Sequence, residues 1–497
     1  MIEARGRIVA ALFLTAGGTM AQQAAEGRVA VFFEEGFPTL DAPPLSKGEL
    51  EEALRPLGAR FLGLDALRDG LEREAFDLLV LPHGSALPKN AWKAIVSFLE
   101  EGGSLCVPGG APLSVPVRRE KGGWKIEVPQ PAYGRELFLG PPALVVGPGA
   151  PFAAADLECI EGDTTGFAPE VSVAIRPSRV FAFDMRFTDR KDFDREDGSS
   201  GPRDALVRPL VRGMLERGEF VAPIALEIDR LRGRFAGGRW VVAPFDGPRS
   251  PALVRALAVR ALAGPHEVVI RPLSPWIGVG EPATFRIEFR MPQGSKTGRP
   301  SADRTVDPLP AQVVLAGPTG AEIEKSTVEL AGTASLRVGE FRTSGSALPE
   351  GLVTATVRVV GGPFEAGAGV RIGAKLPPGP PIEVRGEEFF RGGKPFRVSG
   401  MTYMDSGVHR KFLFEPDPAR WNQDMAAMRR AGVNLLRTGL WSAWKTAMLD
   451  AGAPSDTFLR SLDAFVATAA SHDLPVIFTF FSFLPEAWGG ENPFLDP

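Results

Sequence analysis

FRVSGMTYM (396–404), DPARWNQDMAAMRRAG (417–432), VNLLRTGLW (433–441), SDTFLRSLDAFVATAASHD (455–473) and LPVIFTFFSF (474–483) succeed one another at the end of the 497-residue chain. Short apolar β runs alternate with amphipathic helical runs, the pattern of parallel strands joined by crossover helices. A closed (β/α)8 barrel takes about 250 residues. Only about 100 follow Phe396, and three strands cannot close a barrel. The expectation is an incomplete TIM barrel, its first three strands, forming the N-terminal part of something longer over residues 384–497.

Upstream, EEFFRGGKPFRVSG (387–400) reads as a hairpin with a Gly-Gly turn leading into the first of these strands. Before it lies LPPGPPI (376–382), a stiff Pro-rich linker assigned to 376–383. Residues 265–375 change period. HEVVIRPLSPW, ATFRIEFRM, AQVVLAGPTG, GEFRTSG and LVTATVRVVGG are short alternating runs between turn residues, which predict an immunoglobulin-like β-sandwich without a cysteine pair. RVAVFFEE, KGELEEALRPLG, ARFLGL, DLLVLPHG, NAWKAIVSFLEEGG and SLCVPGG, between Arg28 and Gly110, alternate strand and helix again. Their strands are apolar throughout, as parallel strands covered on both faces require. Residues 111–235 are rich in Pro and Gly and give no clear period, while GGRWVVAPFDG and SPALVRALAVRALAG supply one more strand and helix, completing a first domain over 28–264. The acidic run Asp192–Ser200 lacks the sixth-position glycine of an EF-hand loop, having Asp197 there, and reads as a solvated loop.

Hydrophobic residues make up 44% of the chain, enough for several cores, and its length suggests three or four domains. A net charge of −4 argues for neither nucleic acid nor a membrane surface as partner. Arg5 and Arg7, the apolar run Ile8–Ala16, and small Thr19 and Ala21 read as a secretory signal peptide over 1–21, placing the mature protein outside the cell or in the periplasm, with no membrane partner once the peptide is cleaved. Cys106 and Cys159 have a spacing that does not show whether they pair.

Two resemblances follow from these segments. DLLVLPHGSALP with AIVSFLEEGGSLCVPGG resembles the class I glutamine-amidotransferase-like, flavodoxin-like fold, over about 80 residues. An active member would carry a nucleophilic Cys on the sharp turn after a strand; here the turn is PHGSA, with Ser85 in that place and His83 as the nearest base. Cys106 falls inside a strand as a structural thiol, so this domain is expected to bind or scaffold rather than catalyse.

FFRGGKPFRVSGMTY, DMAAMRRAGVNLLRTGLW and PVIFTFF resemble the clan A glycoside hydrolases, retaining (β/α)8 enzymes that include family 5, 2 and 42 members. Barrel enzymes work at the carboxyl ends of their strands. Those ends present Tyr403, Arg437, Trp441, Phe481, Glu486 and Trp488 as candidate substrate-binding residues, aromatic faces suiting the C–H faces of sugar rings. The resemblance implies that Arg437 lies beside a catalytic nucleophile and keeps it ionised. It also puts the two catalytic carboxylates after the fourth and seventh strands, so no catalytic residue falls in this sequence. The function expected is secreted O-glycosyl hydrolysis of a β-linked poly- or oligosaccharide, without metal or organic cofactor, with the 497 residues inactive on their own. The alternative is a secreted, non-catalytic carbohydrate-binding or scaffold protein. The sugar, the linkage and the oligomeric state stay open.

Overall fold

The computed structural model describes residues 29–73, 76–121, 123–162, 167–186, 204–216, 218–291, 304–344, 348–360, 364–373, 379–408, 410–440, 447 and 453–480. The expected signal peptide, the Asp192–Ser200 run and part of the Pro-rich linker lie outside them.

The N-terminal part is built on β1 (Val29–Phe32), α1 (Lys47–Leu54), β2 (Ala59–Leu62), α2 (Leu64–Arg73), β3 (Leu78–Val80), α3 (Trp92–Glu100), β4 (Ser104–Val107), β5 (Leu157–Glu161), β6 (Ala205–Leu215), β7 (Phe220–Arg230), β8 (Arg239–Val242) and α4 (Pro251–Leu262). Its sheet runs β2-β1-β3-β4-β8-β7-β6-β5; the first five strands are parallel and the last three antiparallel. The parallel strands are buried on both sides because helices cover both. Leu67, Leu71, Ile95 and Phe98 of α2 and α3 pack on one face, and Leu50, Leu54, Val254 and Leu257 of α1 and α4 on the other. Local signals set the helix starts: Ser46 and Glu49 form a capping box at α1, and Ser250 caps α4 ahead of Pro251.

The long strands β6 and β7 fall in the stretch without a clear period. Pro209 and Pro223 interrupt them, and β7 carries Glu227 and Asp229 at fully buried positions. Those carboxylates are held by arginines. Arg239 reaches Asp229 at 2.6 and 3.0 Å and Glu227 at 3.5 Å; Arg260 of α4 grips Glu227 at 2.5 and 3.0 Å; Arg208 spans both at 2.9 and 2.7 Å. His266 closes the cluster, its Nδ1 lying 2.7 Å from Arg239. Its ring packs edge-on against Phe364, 4.3 Å between centroids, in the next sheet.

That sheet holds β9 (Glu267–Pro272), β10 (Trp276–Ile277), β11 (Thr284–Arg290), β12 (Thr305–Ala316), β13 (Glu322–Thr333), β14 (Leu336–Arg342), β15 (Gly351–Val359) and β16 (Phe364–Ile372), in the order β9-β11-β14-β13-β12-β15-β16-β10. All its pairings are antiparallel except β10 with β16. It curls until β9 lies beside β16 and encloses Phe285, Ile287, Val313, Leu315, Val353 and Val370.

After a hairpin of Ile382–Arg385 with Glu388–Arg391 come β17 (Gly400–Thr402), α5 (Pro418–Arg430), β18 (Leu435–Gly439), α6 (Asp456–Ser471) and β19 (Val476–Thr479). The three strands are parallel and neighbour one another in chain order. Both helices pack on one face, with Trp421, Met425, Phe465 and Leu436 in a shared core. The segment rests on the preceding sheet. Asp417, which caps α5, also accepts the Gly369 N–H of β16 at 2.9 Å. A Cβ at Gly369 would stand 2.5 Å from the Ala419 nitrogen, so only glycine allows the approach. Burial raises the Asp417 carboxyl above its ordinary value against the pull of Arg420 and these N–H groups.

Candidate functional site

In a strand, successive side chains point to opposite faces, and that parity sorts the candidate residues. Thr402, Arg437 and Ile477 are in register across β17, β18 and β19. Leu436 is buried beneath the helices, so Arg437 projects from the opposite, open face, where it and Ile477 are exposed. In a closed barrel this open face is the inner wall.

Tyr403 has the other parity, and the expectation that it faces a sugar is corrected. Its ring is buried between Phe412 and Phe465, at centroid distances of 5.7 and 5.5 Å. Its hydroxyl donates to Asp424 Oδ2 of α5 at 2.9 Å, and its carbonyl accepts from Thr438 Oγ1 at 3.1 Å. Burial, with Asp405 and Asp424 nearby, raises the phenol above its ordinary range. Counting parity from Leu436 would have separated Tyr403 from Arg437 in the sequence itself. Trp441, Phe481, Glu486 and Trp488 lie outside the described residues.

Sequence reading missed the polar cluster around Tyr403. Asp424 also accepts from the Ser406 N–H and Oγ, at 3.2 and 2.9 Å. Asp405, buried, accepts from the Gly407 and Val408 N–H groups at 2.6 and 2.7 Å, with Arg420 at 3.6 Å. These bonds fix the loop that leaves the carboxyl end of β17. Nothing in the periodicity flagged Asp405 or Asp424, because each reads as an ordinary loop or helix-surface carboxylate.

The first sheet holds the other candidate residues. Ser85 is fully buried and donates to Asp41 Oδ2 at 2.7 Å, while His83 Nδ1 pairs with Thr39 Oγ1 at 3.2 Å. His83 is enclosed by Phe32 and Phe37, and burial pulls its pKa down to about 4, so it is neutral at pH 7. Cys106 and Cys159 are buried and unpaired, and burial pushes the Cys106 thiol up to about 12. A nucleophile needs a thiolate, or a hydroxyl activated by a base and open to substrate; Cys106 stays a thiol, and Ser85 is buried against Asp41, whose carboxylate is also paired with Arg179 at 3.1 Å. Assays of glutamine and ester hydrolysis should therefore show none from this part of the chain. Hydrolysis that disappears in Ser85→Ala or Cys106→Ala would contradict this.

No protein-family model and no curated protein matches the chain. Among solved structures it is similar to β-glucuronidase 2 of Bacteroides uniformis, at 13% identity and a TM-score of 0.19, over 43% of this chain and 23% of that one. It is also similar to a GH42 β-galactosidase of G. stearothermophilus, at 13% and 0.27 over 64% and 40%. A β-galactosidase of Rahnella sp. R3 gives 13% and 0.29 over 64% and 41%. All three are glycoside hydrolases, and the chain spans less than half the length of each. At these TM-scores the likenesses carry no argument.

Proposed function

We propose that the C-terminal segment is the opening wall of a clan A-like glycoside hydrolase barrel, in an exported protein that acts on β-linked poly- or oligosaccharides with retention. One observation carries this reading. Three parallel strands in chain order have both crossover helices on one face and Arg437 on the other. A doubly wound sheet, like the one built on β1–β4, puts helices on both faces; a barrel wall leaves its inner face to the site. Arg437 is placed there to bind a carboxylate or sugar hydroxyls through its planar fork. Retaining hydrolysis needs two carboxylates about 5–5.5 Å apart, one as nucleophile and one as acid/base. The resemblance puts both on strands beyond the third, so in this reading these 497 residues bind sugar without cleaving it. The first domain and the sandwich then support the barrel.

Calorimetric titration of the polypeptide with β-linked oligosaccharides should show binding that weakens about tenfold or more in Arg437→Ala, the loss of one good hydrogen-bonding anchor. The same material should not turn over aryl β-glycosides. Absence of any sugar binding would refute the barrel-wall reading. Turnover abolished by Arg437→Ala would refute the placement of the carboxylates.

A further inference from the structure

Doubly wound sheets take ligands in the crevice beyond the carboxyl ends of their strands, where the strand order reverses. Here the order reverses between β1 and β3. The chain fills that place with its own segment Phe37–Leu45. The Leu40 N–H donates to the His83 carbonyl at 3.2 Å, and the Ser85 N–H to the Leu40 carbonyl at 2.9 Å. Asp41 accepts from Ser85 Oγ and pairs with Arg179 at 3.1 Å. Asp41 is held at φ 55°, a left-handed conformation that is uncommon for a side-chain-bearing residue. At Gly84 a Cβ would come within 1.9 Å of the Leu40 carbonyl, so the fit depends on glycine.

Under this segment lies Arg249, 5% exposed, its guanidinium against Gly109 just past the carboxyl end of β4. Nη2 donates to the Pro43 carbonyl of the segment. Nε and Nη1, both buried, have no hydrogen-bond partner among the described residues. A guanidinium keeps its charge in a protein, and a charged acceptor bonds it more strongly than a neutral carbonyl does. Burial lowers Arg249 to about 10, offset in part by Asp246 and Glu49.

We propose that Phe37–Leu45 is a strap closed over an anion-binding floor, which opens when a small oxyanion, carboxylate or phosphate, takes the Arg249 donors in place of Pro43. The strap explains why a crevice at the switch point is shut, and Arg249 explains what it shuts over.

Hydrogen exchange on the full chain, with inorganic phosphate as probe, tests this. The Leu40 and Ser85 amides, whose bonds hold the strap, should exchange about tenfold faster in saturating phosphate, the effect of shifting closure by 1.4 kcal/mol. The Val370 amide of β16 should not change. Arg249→Gln should abolish the response, and Asp41→Asn, which loosens the strap and spares the floor, should respond at lower phosphate. Unchanged Leu40 and Ser85 amides in phosphate, or an equal response in Arg249→Gln, would overturn the proposal. So would an Asp41→Asn protein that needs as much phosphate as the parent.

Discussion

Arg239→Ala should destabilise the N-terminal part by about 3–5 kcal/mol, the range found when one partner of a buried ion pair is removed and the other stays behind. Arg239, Glu227 and Asp229 are fully buried, so two carboxylates would lose donors that water cannot replace. Arg208 and Arg260 would still hold Glu227, while Asp229 would keep only Arg208 and the His266 N–H, so Asp229 bears the larger loss. Urea unfolding at pH 7 measures this. Arg239→Met combined with Asp229→Leu should cost less than Arg239→Ala alone, because no buried charge is then left unpaired. A single variant as stable as the parent would mean that the cluster contributes shape and not electrostatics.

Acid should remove a comparable amount. Burial, reinforced by the Arg249 charge, lowers His83 from 6.5 to about 4, so the folded state binds that proton less well than the unfolded chain. Stability from this group is complete above pH 6.5 and is lost as pH falls through that value toward 4. The whole window is worth about 3 kcal/mol at 1.36 kcal/mol per unit. His266, lowered to about 2 by burial and then by Arg239 and Arg208, acts with the same sign. The urea midpoint should fall steadily between pH 7 and pH 4, and His83→Asn should flatten the upper part of that curve. An identical slope in the variant would exclude His83 as its source.

The alternating apolar segments mark the parallel strands β1 to β4, strands β9, β11, β12, β14 and β15 of the antiparallel sheet, and β17 to β19, since each is written in a period that one kind of element satisfies; β13 and β16 of that sheet are not among them. Strands β6 and β7 stayed hidden because their interior is partly ionic. Glu227 and Asp229 look like surface residues until Arg208, Arg239 and Arg260, distant in sequence, are brought to them. At the candidate site Arg437 stands on the open face, while Tyr403, also at a strand end, has the opposite parity, which position along the chain alone does not show. The strap over β1 and β3 leaves no trace in periodicity, being a loop whose role depends on what lies under it.

The bond between Asp417 and Gly369 has a consequence for biosynthesis. A chain leaves the ribosome amino end first, and its domains fold as units in that order. The antiparallel sheet, ending at Ile372, is therefore formed before Asp417 emerges. Helices are costly to nucleate alone, but the nascent first turn of α5 meets a finished strand whose Gly369 N–H already awaits its carboxylate. The earlier translated module thus acts as an intramolecular template, seeding the β17–β19 segment from its first helix onward.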